Sequence, residues 1–195
     1  MTTKQFIQME NISKRFPGVQ ALDQVSFELK TGEVHALVGE NGAGKSTLMK
    51  ILSGVYRPDA GQIMLDGDPV SLVDPRHAQE LGISIVHQEL NLFPNMTVSE
   101  NILGGHMPSR GPLGFEDTAQ ASRIASDFLA EFEQPIDPRT KLSALSLAQQ
   151  QVVEICKALA QDARVLILDE PTSSLTEHET TILFRIIRQL RTEGL

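Results

Sequence analysis

The residues Gly39-Glu40-Asn41-Gly42-Ala43-Gly44-Lys45-Ser46 have the types and the spacing to hold a phosphate group. They follow the pattern of a glycine, four variable residues and then Gly-Lys-Ser. Glycine lets backbone N–H groups turn inward and approach an anion closely, because no Cβ stands in the way. Lys45 is placed to reach the outer phosphates of a nucleotide as a compact positive charge. The Ser46 hydroxyl is the kind of ligand magnesium takes. Gly39, Asn41, Gly42, Gly44, Lys45, Ser46 and the following Thr47 are therefore the candidate nucleotide contacts of this loop. A second pair able to do chemistry, Asp169-Glu170, follows the apolar run Val165-Leu166-Ile167-Leu168. A carboxylate at the end of such a strand opens into the crevice where ligands bind α/β sheets. Asp169 suits magnesium, and Glu170 suits a base that polarises an attacking water.

Elements of defined type must position these groups. Val34-His35-Ala36-Leu37-Val38 predicts a buried strand entering the loop, and Lys45 to Leu52 a helix leaving it with its N-terminus toward the anion. Short β-rich runs near 6–9, 25–29 and 62–65 are separated by Gly, Pro and Asp punctuation. A helix is expected from Pro75 to Leu81, then a buried strand over Gly82–Val86. From about 90 to 160 the pattern turns helical. Thr97 with Glu100 and Ser146 with Gln149 have the spacing of capping boxes, and Thr176 with Glu179 opens a last helix in the same way. Residues 107–113 read as a loop. Ile124, Phe128, Leu129 and Phe132 mark a helix over 116–132, and Val152, Ile155, Cys156 and Leu159 form a later apolar stripe. The pattern predicts one α/β domain over 1–195 with an inserted helical stretch.

Composition narrows the classes. The net charge of −8 without a Lys/Arg cluster argues against a general nucleic-acid binder. A single cysteine excludes an internal disulfide. No apolar run approaches the ~18–20 residues of a membrane helix, so membrane attachment would have to come through a partner.

Between the two phosphate motifs lies Leu145-Ser146-Leu147-Ala148-Gln149-Gln150-Gln151. Next to them it resembles the signature of the ATP-binding cassette (ABC) ATPases, an α/β P-loop NTPase core of ABC type with an inserted helical subdomain. Gln88 matches that family's loop glutamine, which touches the metal and couples to the transport subunit. Phe16 matches the aromatic that stacks on adenine. The resemblance implies ATP and magnesium as ligands. Ser46, Gln88 and Asp169 would serve the metal, with Glu170, Lys45 and Gln88 in the catalytic machinery. It also implies that Ser146 and Gln149 face nucleotide on an opposing ATPase unit. The runs His87–Ile102, Gln149–Ile155 and Pro171–Glu177 look very like the first ATPase half of the ribose/galactose/xylose class of bacterial importers. That class implies several partners: a second ATPase half or homodimer mate, a membrane permease and, indirectly, a periplasmic sugar-binding protein. No nucleic acid is implied, and the place of action would be the cytoplasmic face of the inner membrane.

Three departures qualify the resemblance. Leu147-Ala148 stands where Gly-Gly is commonest, so a Cβ limits approach to a phosphate there. Thr176 stands where many members carry Asp. None of His35, His77, His87, His106 or His178 matches the switch histidine, which in the family follows one more strand. The expectation is a C-terminally truncated unit that binds ATP and turns it over slowly or not at all. ABC ATPases of DNA repair fit less well, because only 56 residues separate Gln88 from Leu145 and they show no sustained heptads.

Overall fold

The computed structural model describes residues 5–86, 91–110, 115–132, 135–172 and 175–195. The chain divides into two compact units, one of residues 1–84 with 187–195 and one of residues 85–186.

The first unit is built on an antiparallel sheet ordered β2-β1-β3-β4. Strands β1 (Gln5–Phe16) and β2 (Val19–Lys30) form a hairpin closed by Pro17-Gly18, with Phe16 opposite Val19. Gly18 has φ 84°, which the tight two-residue connection requires. Sequence pattern shows only the apolar centres of these strands, near 6–9 and 25–29. The strands run further because ladder pairing carries polar residues such as Lys14 and Gln20 along with it. Helix α1 (Lys45–Leu52) buries Leu48, Ile51 and Leu52, the i, i+3, i+4 stripe of a one-sided helix. Strands β3 (Ala60–Leu65) and β4 (Asp68–Val70) complete the sheet. Helix α2 (Pro75–Glu80) starts where the Asp74 carboxylate accepts from the His77 N–H at 2.8 Å, with Pro75 at its first position. Ile7, Met9, Ile12 and Ile51 are fully buried and centre the core.

One expectation fails here. Residues 34–38 form no strand, and Val34 and Val38 are 56% and 92% exposed. A strand exists only as part of a ladder, and among the described residues no strand pairs with this segment.

Strand β5 (Ile83–Val86) pairs with β8 (Val165–Leu168). The second unit also holds α3 (Val98–Ile102), α4 (Thr118–Glu131) and α5 (Leu147–Leu159), which pack on one another. All three expected capping boxes are present, at Thr97/Glu100, Ser146/Gln149 and Thr176/Glu179. The 107–113 region, expected as a loop, contributes Ser109–Arg110 (β6) to a two-stranded ladder with Phe115–Glu116 (β7). In α4 the deepest positions are Ala121, Ala125 and Leu129. The bulky Ile124 and Phe128, chosen from the sequence, flank that seam half-buried, because alanine allows the closer helix approach. Helix α6 (Glu177–Thr192) buries Leu183, Ile186 and Leu190, as its apolar spacing predicts.

Candidate functional site

The phosphate loop wraps the start of α1. Gly42 and Gly44 have φ 85° and 86°, a left-handed conformation that side chains rarely tolerate. Gly44 is doubly constrained: a Cβ there would lie 2.6 Å from the Ala21 carbonyl oxygen and 2.8 Å from Leu22 Cδ2. Strand β2 thus backs directly onto the loop. Lys45 Nζ donates to the carbonyls of Gly39 at 2.6 Å and Glu40 at 2.8 Å, which draws the loop around its ammonium. No side chain caps α1, and its first turn holds no acidic residue. The first N–H groups of the helix and the nearby ammonium therefore carry positive character that no carboxylate of that turn offsets. Ser46 is exposed, with its hydroxyl on the first turn, and Thr47 is half-buried beside it.

Phe16 sits at the tip of the β1–β2 hairpin, whose second strand abuts Gly44. Its ring meets Tyr56 edge to face at 5.2 Å, and Lys14 Nζ lies 5.8 Å from its centroid. These contacts hold a half-buried aromatic plane in place.

In the second unit Ser146 caps α5. Its Oγ accepts from the Gln149 N–H at 3.3 Å, and the Gln149 Oε1 accepts from the Ser146 N–H at 3.0 Å. A further acceptor is the Glu179 carboxylate of α6, expected from the sequence as half of a capping box. It receives the Thr176 N–H at 2.9 Å and the Thr176 hydroxyl at 2.8 Å, and the Ala148 N–H adds a weaker electrostatic pull. These donors hold Glu179 below the usual carboxylate range, the Thr176 N–H most strongly.

Asp169 follows β8, and its N–H donates to the Val86 carbonyl at 3.2 Å, so the pairing with β5 extends to this residue. Glu170 is exposed, with φ 47°. A left-handed backbone at a residue with a Cβ is uncommon and recurs at functional turns. Gln88 lies outside the described residues. Among the described residues no group of three or more His, Cys, Asp or Glu gathers as a metal cage.

Sequence reasoning passed over Glu154, a carboxylate only 5% exposed on α5. Burial pushes its pKa up to about 7, against the opposing pull of the Asn91 N–H and the Lys157 charge. Cys156 is fully buried, and burial pushes its thiol far up. His178 and the side chains of Arg185, Arg188 and Arg191 are exposed. His35, within the strand expected at 34–38, is exposed, with Nδ1 3.2 Å from Glu33 and its ring against Phe27.

The profile of the ABC transporter family matches residues 22–173. A ribose/galactose/methyl galactoside import ATP-binding protein of Burkholderia cenocepacia is 55% identical over 195 residues, 100% of this chain and 38% of that protein. The arabinose import ATP-binding protein AraG of Ralstonia nicotianae is 52% identical over 97% of this chain and 37% of its own length. The chain therefore spans a little over a third of the curated relatives it matches. Among solved structures, an ATP-binding cassette of an ABC transporter in its ADP conformation is similar at TM-score 0.86 and 27% identity. That match covers 99% of this chain and 79% of the other. A nucleotide-free cassette gives 0.82 at 25% identity, over 98% and 79%.

Proposed function

Because the chain belongs to the ABC transporter family, we propose that it is the ATP-binding part of a bacterial sugar importer that spends ATP hydrolysis on transport. The observation that carries this reading is the uncapped α1 N-terminus, with Lys45 held at the loop carbonyls. Backbone N–H groups from Gly42 to Ser46 receive the phosphates, and Lys45 exchanges the Gly39 and Glu40 carbonyls for phosphate oxygens. Phe16 stacks on the base. Ser46, Asp169 and Gln88 are the residues that would hold magnesium, which would neutralise phosphate charge. Glu170 orients and polarises the attacking water, and the fixed donors of the loop stabilise charge developing as the γ-phosphate leaves.

Ser146 and Gln149 present the α5 N-terminus to nucleotide on an opposing ATPase unit, so the working form is a pair. Partners of this kind, with a permease and a sugar-binding protein beyond it, place the chain at the inner face of the membrane. No helix among the described residues is long and apolar enough to cross it. The names of the relatives support a pentose or hexose as cargo.

Calorimetric titration with MgATP tests the reading. The unaltered chain binds, and Lys45→Ala weakens binding by roughly a hundredfold, about 2.7 kcal/mol, as expected for a charge-assisted contact to phosphate. Equal affinity for the two proteins would refute the phosphate-loop assignment.

A further inference from the structure

Phe16 stands at the closed end of a long hairpin. Strands β1 and β2 run for 12 residues each, and Phe16 pairs with Val19 across Pro17-Gly18. The tip of a hairpin is where a chain is least held. A ring that stacks on a planar base needs its angle set before the base arrives, because ordering a side chain during binding weakens the complex.

Three ties among the described residues set that angle. The first runs through the backbone: Ala21 and Leu22 of β2 back directly onto Gly44 of the phosphate loop. The second is Lys14, whose Nζ lies 5.8 Å from the Phe16 ring centroid. Asp59 holds this ammonium in place. Its Oδ1 accepts from Lys14 Nζ at 2.8 Å, and its Oδ2 accepts the Arg15 N–H at 2.7 Å.

The third tie is Tyr56. Its ring centroid is 5.2 Å from that of Phe16, with the planes 67° apart. Its backbone is fixed to α1, the helix that begins at the phosphate loop. The Lys50 carbonyl accepts the Val55 N–H at 2.8 Å and the Tyr56 N–H at 3.0 Å. Lys50 Nζ lies 5.8 Å from the Tyr56 centroid, so each ring of the pair has an ammonium beside it. Ring quadrupoles favour a definite angle between two aromatic planes, whereas an aliphatic neighbour would let the Phe16 ring turn. Tyr56 thus refers the plane of Phe16 to the helix whose first turn carries Lys45 and Ser46.

We propose that Tyr56 is a positioning residue for nucleotide: it fixes the Phe16 ring relative to α1, so that one ligand can meet the ring with its base and the phosphate loop with its phosphates. The ligand favoured in this way is a nucleoside triphosphate over a bare polyphosphate. The proposal rests on the stacking role of Phe16 given above.

The test is calorimetric titration with ATP and with inorganic tripolyphosphate, both with magnesium. Tyr56→Ala lowers ATP affinity about fivefold, the size of one edge-to-face aromatic pair. It leaves tripolyphosphate affinity unchanged, which reports an intact phosphate loop. Tyr56→Leu, which fills the space without a ring, behaves as Tyr56→Ala does. Tyr56→Phe keeps the ring and keeps the parental affinity for both ligands. Phe16→Ala lowers ATP affinity roughly tenfold, as loss of a base-stacking surface should, again without touching tripolyphosphate. Adding Tyr56→Ala to Phe16→Ala causes no further loss, because both act through one surface.

Three results overturn the proposal alone, with Phe16→Ala still selectively weakened for ATP. They are parental ATP affinity in Tyr56→Ala and Tyr56→Leu, an equal fall in tripolyphosphate affinity in both, or additive losses with Phe16→Ala. If Phe16→Ala binds ATP as the unaltered chain does, the stacking reading falls and the proposal falls with it.

Discussion

Helices α1 and α5 each begin at a motif of the proposed site, and they treat their free amides in opposite ways. Helix α1 begins at Gly44, with no side-chain cap and no acid in its first turn. Helix α5 begins at Ser146 with a complete capping box, and the Glu179 carboxylate stands near enough to feel the Ala148 N–H. Every helix leaves its first N–H groups without an intrahelical partner. In α1 no side chain takes them, and the loop is stabilised by the Lys45 ammonium on two carbonyls. In α5 the Gln149 N–H is taken by the Ser146 hydroxyl and the Glu179 carboxylate stands nearby, so in the proposed reading an incoming phosphate must compete with both. One end is built to bind by itself. The other gains from binding only when a strong anion is brought to it.

The comparison breaks most severely at Gly44. Gly44→Ala puts a Cβ 2.6 Å from the Ala21 carbonyl oxygen, at a φ of 86° that alanine resists. The loop or β2 must move. We expect a loss of roughly 3 kcal/mol or more in unfolding stability, the range for strain combined with a backbone clash, together with loss of ATP binding. Chemical denaturation and MgATP titration read the two effects. A variant that kept parental stability and affinity would show that the close approach of β2 does not shape the loop.

Ser146→Ala sharpens the contrast with a smaller effect. Losing the cap costs about 1 kcal/mol, concentrated in the first turn of α5. Amide exchange at residues 147–149 should rise about fivefold, and the affinity of the isolated chain for MgATP should stay as it was. If that affinity fell, Ser146 would serve nucleotide on its own chain, and the division of labour between the two helix ends would be wrong.

How these features show in the sequence follows from how local they are. The phosphate loop and the three capping boxes were legible because each is a pattern within a few residues. Thr97/Glu100, Ser146/Gln149 and Thr176/Glu179 all close over three positions. The strand expected at 34–38 failed because apolar content does not supply a partner strand, and pairing is a property of the sheet. Glu154 and Asn91 were invisible for a related reason: they lie 63 residues apart, and Glu154 looks like any polar residue of a helix. Glu179 was legible as half of a capping box, while its contact with Ala148 depends on how α6 lies along α5.

That last contact sets the smallest expected effect, one that pH can isolate. The Thr176 N–H and hydroxyl, with the Ala148 N–H, hold Glu179 below its ordinary value of 4.5. A carboxylate depressed on folding adds stability above its unfolded pKa and loses it as pH falls through the folded value. Glu179→Gln cannot make that transition. The thermal midpoint of the unaltered chain should therefore exceed that of the variant near neutral pH. The gap should stay constant down to about pH 5 and close as pH falls below 4.5. Taking the difference between the two proteins removes the acid response of every other carboxylate they share. A gap that persists unchanged into acid would mean that Glu179 acts at the α5 N-terminus through its shape and hydrogen bonding. Its charge would then play no part, and an arriving phosphate would meet no electrostatic rival there.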